Sequence, residues 1–250
     1  MNCFHPGSKE ITDLAVKLGG FVRGNRILEL GCGEGRTIEY LQEKYGLLVT
    51  GCDINKDMIK KAKQRNPKLQ IRLSDGVSLD FPSLYFDGAI MECSFSLMTR
   101  HQELLHELYC ILKPGAVLTI SDLYMLDPDP QQAKQQYESA ISYLNRPREH
   151  SDCENETEYP SPFVLDGMFM MDYLQEGLRE AGFDLISWED RTQDLKNYIA
   201  QVLMDYGSFD RMWQEALPEG TDPKSICHMT YGKNTGYFLL AAGKGHGHAG

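Results

Sequence analysis

The chain has 250 residues, an apolar content of 42% and a formal net charge of −11. This length suits one α/β domain, alone or with an insertion, and the apolar content is sufficient for a full core. The negative charge disfavours nucleic acid and anionic membranes as main partners, because both repel an acidic surface. No apolar run reaches the roughly 18 residues of a membrane span, and no secretory signal pattern opens the chain. We therefore expect a cytoplasmic protein without nucleic-acid or membrane partners.

The seven cysteines are odd in number, have no framework spacing and include no C-x-x-C pair. This pattern is typical of reduced thiols and does not indicate a disulfide framework or a metal site.

Residues 1–25 are predicted to form a helical leader ahead of the sheet. Ser8 is placed to cap a helix, and Gly19-Gly20 would end it. Such a helix could close over a ligand bound at the sheet.

Strands and helices alternate from Arg26 to Tyr124, which predicts a parallel sheet covered on both faces. Asn55 is expected to cap the helix after the second strand. Lys113-Pro114-Gly115 is expected to form a turn before the fifth strand. The predicted strands are 27–30, 47–54, 69–73, 86–93 and 116–122.

Residues 125–165 interrupt this alternation and are interpreted as a helical and loop insertion. A helix is predicted over 131–144, and the polar stretch 146–161 is predicted to be a lid, with a disordered linker as the alternative. The α/β pattern then resumes. It predicts helices over 171–181 and 195–203, strands at 183–188 and 236–242, and a flexible tail at 245–250, for seven strands in all.

The first strand runs into a segment that we call the glycine corner, residues 29–35, in which Glu29 precedes glycines at 31, 33 and 35. Glycine allows a tight turn and a close backbone approach to a ligand, and the following helix N-terminus offers unpaired N–H groups. Asp53, 18 residues after Gly35, ends the second strand and suits the two hydroxyls of a ribose. The corner and Asp53 together predict a nucleoside site. A dinucleotide fingerprint would place its third glycine at position 36, where this chain has arginine.

The order acid-x-Gly-x-Gly-x-Gly after a strand resembles motif I of the class I S-adenosylmethionine-dependent methyltransferases. The resemblance covers nearly the whole chain from Arg26 to Lys244 and includes Ser74-Asp75-Gly76, Phe86-Asp87-Gly88 and Leu112-Lys113-Pro114-Gly115. Within this family the chain is similar to the small-molecule enzymes related to ubiquinone-biosynthesis and arsenite methyltransferases, in a bacterial, poorly characterised branch. It implies a three-layer, Rossmann-like α/β fold over residues 26–244, with a seven-stranded, mostly parallel sheet and an antiparallel last strand.

The resemblance also implies an activity: methyl transfer from S-adenosylmethionine to a small-molecule acceptor, leaving S-adenosylhomocysteine, by a monomer or homodimer. Glu29 and the corner backbone would hold the methionine part, Asp53 the ribose, and Asp75 with Gly76 the adenine. The predicted cofactor-binding residues are Glu29, Gly31, Cys32, Gly33, Gly35, Asp53, Ile54, Asp75, Gly76 and Glu92.

Methyl transfer requires mainly alignment and exclusion of water, because the cofactor is already activated. No catalytic residue is therefore compulsory, and the candidates are Glu92, Tyr124 and Trp188, near predicted strand ends. Further candidates on the acceptor side are Cys93, Asp122, Glu189 and Asp190.

Three alternatives stay open. One is a non-catalytic S-adenosylmethionine-binding module, and another is an NAD-dependent oxidoreductase. The third is an arsenite methyltransferase, in which Cys93, Cys153 and Cys227 would converge on the soft arsenic atom. Cys32, Cys52 and Cys110 are interpreted as buried or incidental.

Overall fold

The computed structural model describes residues 5–98, 100–144, 161–216 and 234–245. Within these ranges the chain forms nine strands and eight α-helices. The strands are β1 Arg26–Leu30, β2 Leu48–Asp53, β3 Gln70–Leu73, β4 Phe86–Glu92, β5 Leu112–Met125, β6 Val164–Leu165, β7 Met168–Phe169, β8 Phe183–Asp190 and β9 Thr235–Lys244. The helices are α1 Ser8–Gly19, α2 Arg36–Tyr45, α3 Lys56–Arg65, α4 His101–Ile111, α5 Pro130–Leu144, α6 Met171–Glu180, α7 Thr192–Tyr206 and α8 Phe209–Ala216. One turn of 3-10 helix, Phe95–Leu97, follows β4.

The sheet is mostly parallel, and the predicted fold class is confirmed. Strands β3, β2, β1, β4 and β5 lie side by side in that order and run parallel. β9 runs antiparallel between β5 and β8. The strand order reverses between β1 and β4, so the carboxyl ends of these strands flank a crevice of the kind that binds ligands in open α/β sheets.

Alternating side chains divide the core into two layers, as the period of two in a strand requires. In β9, Tyr237 and Leu239 pack with α1 and α7, whereas Phe238 and Leu240 belong to the cluster formed with α4 and α6. Helices α2 and α3 cover the first face beside β1 and β2. Helices therefore cover both faces of the sheet, which gives three layers with hydrophobic core on either side of the sheet.

A short hairpin, β6–β7, is absent from the seven strands that the sequence predicts. β7 pairs with Tyr124 of β5 through Phe169, and β9 pairs with the same Tyr124 through Gly236. A strand has only two edges, so β7 must lie on the β4 side of β5. There it stands beyond the last β4 pair, Glu92 with Ser121. The hairpin therefore lies at the carboxyl edge of the sheet, and its two-residue strands are too short to leave a periodic signal in the sequence.

Two local predictions are wrong. Lys113-Pro114-Gly115 is not a turn before β5 but lies within its bounds: between the pairs Phe86–Leu112 and Gly88–Val117 the register advances two residues on β4 and five on β5. The extra residues form an irregular excursion, with Gly115 at a φ of +77°. Ser8 does not cap α1, because the N-cap is Gly7 and no side chain bonds to that end.

Asn55 caps α3 as predicted, accepting hydrogen bonds from the backbone N–H groups of Asp57 and Met58 at 3.0 and 3.1 Å. The predicted lid stretch 146–161 falls outside the described residues except for Ser161, and the tail beyond residue 245, Cys153 and Cys227 also fall outside them. Among the described residues, no helix combines the length and apolarity needed to cross a membrane.

Candidate cofactor and acceptor site

The glycine corner is folded tightly against β2 and the segment after β4. Gly31, Gly33 and Gly35 have positive φ angles of 74°, 51° and 70°. A Cβ added at Gly31 would lie 2.2 Å from the Cβ of Ser94. The N–H groups of Gly31 and Cys32 both donate to the carbonyl oxygen of Cys52, at 2.8 and 3.1 Å. This geometry requires glycine at position 31 and sets the first turn of α2 at the carboxyl ends of β1 and β2.

Asp53 links the corner to the end of β2. Its Oδ2 accepts from the N–H of Gly33 at 2.7 Å, and its Oδ1 accepts from the N–H of Asn55 at 2.8 Å. Burial raises the pKa of this carboxyl group, and the backbone N–H groups of Asn55, Gly33 and Ile54 oppose that rise. A carboxylate has about four lone-pair positions, so about one remains for a further donor. The side chain of Ile54, directly beside it, is 71% exposed. An acid with spare acceptor capacity next to an exposed apolar side chain fits a nucleoside.

The loop after β3 stands next to this pair. The N–H of Ser74 donates to the carbonyl oxygen of Asp53 at 3.0 Å. Within the loop, Asp75 accepts from the N–H groups of Val77 and Ser78, and Gly76 has a φ of +89°. The loop that carries Asp75 and Gly76 therefore begins at a residue bonded to Asp53, and its contact with the adenine stays a prediction.

Glu29 and Cys32 are both buried. Glu29 is 4% exposed and lies within β1, one residue before its end, paired with Gly51 and Ile90. Burial and the nearby carboxylates of Glu29 and Asp53 hold the pKa of the Cys32 thiol far above its usual value. Burial likewise raises the pKa of Cys52 to about 11. Both thiols are protonated at neutral pH and are poor metal ligands.

Glu92, at the end of β4, collects donors from three separate parts of the chain. Its Oε1 accepts from the hydroxyl of Thr12 in α1 at 2.9 Å, and its Oε2 accepts from the hydroxyl of Thr37 in α2 at 3.2 Å. The Nε2 of His5 lies 3.4 Å from the same Oε2, and the Glu92 side chain is only 5% exposed. Sequence reasoning missed Thr12 and Thr37. The only signal for them was the expectation that the leader helix closes over the sheet.

Asp122 fastens the segment that follows β4. Its Oδ1 accepts from the Ser96 hydroxyl at 2.7 Å and from the N–H of Leu123 at 2.8 Å, and its Oδ2 accepts from the N–H of Ser96 at 2.9 Å. The side chain is fully buried, and burial raises its pKa to about 6. Asp122 therefore acts on the shape of the 3-10 turn.

Tyr124 and Trp188 meet edge to face, with ring centroids 5.6 Å apart, near the carboxyl ends of β5 and β8. The Tyr124 hydroxyl interacts with Asp190 and Thr192, and Trp188 is 37% exposed. Glu92 pairs with Ser121 of β5, and Tyr124 lies three residues, or about 10 Å, further along that strand. Because 121 and 124 are an odd number of residues apart, their side chains leave opposite faces of the sheet. Of the three candidate catalytic residues, Tyr124 and Trp188 are therefore together, and Glu92 is apart from them.

Of the three cysteines considered for arsenic, Cys93 alone falls in the described part of the chain. Its thiol donates to the Tyr237 hydroxyl at 3.5 Å. Cys110, predicted to be buried or incidental, is exposed. Across the described ranges, no group of three or more His, Cys, Asp or Glu side chains is arranged to hold a metal ion.

Comparison with known proteins finds similarity to methyltransferases. Residues 28–120 match the family model described as "Methyltransferase domain". An O-methyltransferase of Pyrenophora dematioidea is 25% identical over 229 residues, which is 88% of this chain and 74% of that protein. The matches to the first three curated relatives span 60%, 74% and 63% of their lengths.

Solved structures show the same fold. Phosphoethanolamine N-methyltransferase 2 of Haemonchus contortus, in complex with S-adenosyl-L-methionine, superposes with a TM-score of 0.67 at 18% identity, covering 98% of this chain and 54% of that one. The [4+2]-cyclase SpnF superposes with a TM-score of 0.59 at 22% identity, covering 95% of this chain and 80% of that one.

The matched segment, residues 28–120, resembles a methyltransferase domain, and the fold around it is that of the solved methyltransferases. The predicted fold is confirmed, and the matched segment supports the predicted family and its cofactor, S-adenosylmethionine. The roles of the individual site residues and the bacterial branch stay predictions.

Proposed function

We propose that this chain transfers a methyl group from S-adenosylmethionine to a small-molecule acceptor and releases S-adenosylhomocysteine. The observation that carries the proposal is the glycine corner joined to Asp53 at the point where the strand order reverses. In this arrangement Glu29 and the backbone of residues 31–35 hold the methionine part. Asp53 and Ile54 hold the ribose, and the loop at Asp75 and Gly76 holds the adenine.

The cofactor supplies a methyl group already activated on a sulfonium sulfur. The chain's own contribution is to position the acceptor in line with that bond and to exclude water. The carboxylates of Glu29 and Asp53 favour a cofactor with a positively charged sulfur and ammonium, because opposite charges attract strongly in a partly buried site.

We further propose that the acceptor atom is an oxygen on an apolar molecule. The relatives named as O-methyltransferases support the oxygen, and the exposed ring of Trp188 against Tyr124 supports an apolar body. A hydroxyl acceptor must lose a proton during transfer. Burial raises the pKa of Tyr124, so its neutral hydroxyl serves as a relay that passes this proton to the carboxylate of Asp190, to which it bonds. We also propose a cytoplasmic location and a monomer or homodimer.

A non-catalytic or non-methylating role is the second candidate. The [4+2]-cyclase with the same fold supports it, because a fold alone does not determine chemistry. Arsenite methylation receives less support, since Cys93, the candidate thiol that falls in the described part of the chain, bonds to the Tyr237 hydroxyl.

The test is a transfer assay with methyl-labelled S-adenosylmethionine over phenols, apolar alcohols, carboxylic acids, thiols, amines and arsenite. We expect label on an apolar oxygen acceptor. Label on amines or arsenite alone would contradict the oxygen proposal. Failure with every acceptor, in a preparation that binds S-adenosylhomocysteine, would favour the non-catalytic role.

A further inference from the structure

The carboxylate of Glu92 forms hydrogen bonds with two helices, α1 and α2, at the carboxyl end of β4. Its Oε1 takes the Thr12 hydroxyl from α1, and its Oε2 takes the Thr37 hydroxyl from α2. Thr37 is the second residue of α2, which begins directly after the glycine corner. One hydrogen bond therefore connects the first turn of α2 to Glu92, and one more connects Glu92 to α1.

A second carboxylate joins the same helices on the outside. Asp13 of α1 accepts from the hydroxyls of Tyr40 and Tyr45 at 2.6 Å each, and it pairs with Lys44 at 2.6 Å. This outer link contacts α2 about one and a half to three turns beyond the glycine corner. The chain thus carries an inner link, at the ligand edge, and an outer link that can serve as its control.

The inner link is buried, whereas the outer one is open to solvent. Thr12 is 2% exposed and the Glu92 side chain 5%, but Asp13 and Lys44 side chains are 33% and 45% exposed. A hydrogen bond to a buried charged group contributes more than a solvent-exposed ion pair. Of the two polar links, the inner one therefore contributes more to holding α1, whose apolar side chains also pack in the core.

We propose that Glu92 is a positioning residue that couples occupation of the glycine corner to the closure of α1 over the carboxyl end of β4. The proposal rests on the proposed function, because it takes S-adenosylmethionine or S-adenosylhomocysteine as the ligand at the glycine corner. A ligand at the corner orders the first turn of α2, Thr37 then holds one oxygen of Glu92 in place, and the other oxygen holds Thr12. In this role Glu92 acts through α1 and α2 and not by contact with the reacting atoms.

The test measures hydrogen–deuterium exchange of the α1 peptide, residues 8–19, with and without S-adenosylhomocysteine, after calorimetry has established binding. In the wild type we expect the ligand to slow exchange of this peptide by at least about fivefold, the order of one hydrogen bond to a charged group. Thr12→Val removes the hydroxyl at nearly constant volume, so the ligand-dependent slowing should vanish and the Kd should rise about 5- to 10-fold. Thr12→Ser keeps the hydroxyl and should restore both.

Asp13→Asn is the matched control, because it weakens the outer link and leaves Thr12 in place. It should speed exchange of α1 in the free protein while retaining the wild-type ligand-dependent factor. Ligand binding without slowing in the wild type, or slowing that survives Thr12→Val, would overturn the coupling and leave cofactor binding intact. Absence of binding by the wild type would overturn the proposed function, and the coupling with it.

Discussion

The glycine corner and the region at the carboxyl ends of β4 and β5, the proposed acceptor side, are built in different ways. The corner consists of backbone turns at Gly31, Gly33 and Gly35, and a backbone N–H makes its bond to Asp53. The second region is held by bonds between side chains, and the longer of the two, from Thr12 to Glu92, spans 80 residues. A site made from local backbone leaves a spacing pattern in the sequence. A site made from distant side chains leaves none.

The largest expected effect falls on the backbone of the corner. Gly31→Ala should lower the free energy of unfolding by roughly 2–5 kcal/mol, because a positive φ and a close contact both penalise the Cβ. The added atom would meet Ser94 at 2.2 Å. Gly207→Ala is the control: its φ is +79° and no atom lies within 4 Å of its Cβ position, so only the conformational cost of roughly 1–2 kcal/mol should appear. Urea unfolding measures both, and equal losses would show that the close contact does not matter.

The next effect is a pH dependence on the acceptor side. The pKa of Asp122 is raised to about 6 from 3.8, so between these values the unfolded chain loses a proton that the folded chain keeps. The free energy of unfolding should therefore fall as pH rises from about 4 to about 6 and then level off, by roughly 3 kcal/mol relative to Asp122→Asn. Burial lowers the pKa of His101 to about 4. This group gives the opposite slope in both proteins, so it cancels in the difference. A difference between the two proteins that does not vary with pH would show that Asp122 is ionised throughout.

Asp53→Ala tests the ribose contact. Loss of a charge-assisted hydrogen bond should weaken S-adenosylhomocysteine by roughly 1–3 kcal/mol, measured by calorimetry. Asp57→Ala, on the exposed first turn of α3, should leave the affinity unchanged. Unchanged affinity in Asp53→Ala would move the ribose elsewhere.

The smallest effect concerns Tyr124. Tyr124→Phe removes the hydroxyl that bonds to Asp190 and Thr192 but keeps the ring against Trp188. It should lower kcat/KM for the acceptor by an amount that corresponds to roughly 0.5–1.5 kcal/mol of transition-state stabilisation, the range of a single hydrogen bond. The affinity for S-adenosylhomocysteine should be unchanged. A loss of affinity for S-adenosylhomocysteine with no change in kcat/KM for the acceptor would instead place Tyr124 at the cofactor.

The limits of sequence reasoning follow the same division. The corner, Asp53 and the parallel strands β1–β4 were predictable because glycine spacing and apolar runs are local signals. The Lys113-Pro114-Gly115 excursion was not, since its residues favour a turn, and the strand is extended past them only by the pairing of Leu112 with Phe86. The β6–β7 hairpin and the links of Glu92 to Thr12 and Thr37 were also missed. They depend on which distant segments meet, which no periodicity records.

The most direct measurement is a calorimetric titration of the wild-type chain with S-adenosylhomocysteine and, separately, with NAD. The account predicts saturable binding of the first and none of the second, because Arg36 stands where a dinucleotide site needs its third glycine. Binding of NAD without binding of S-adenosylhomocysteine would contradict it.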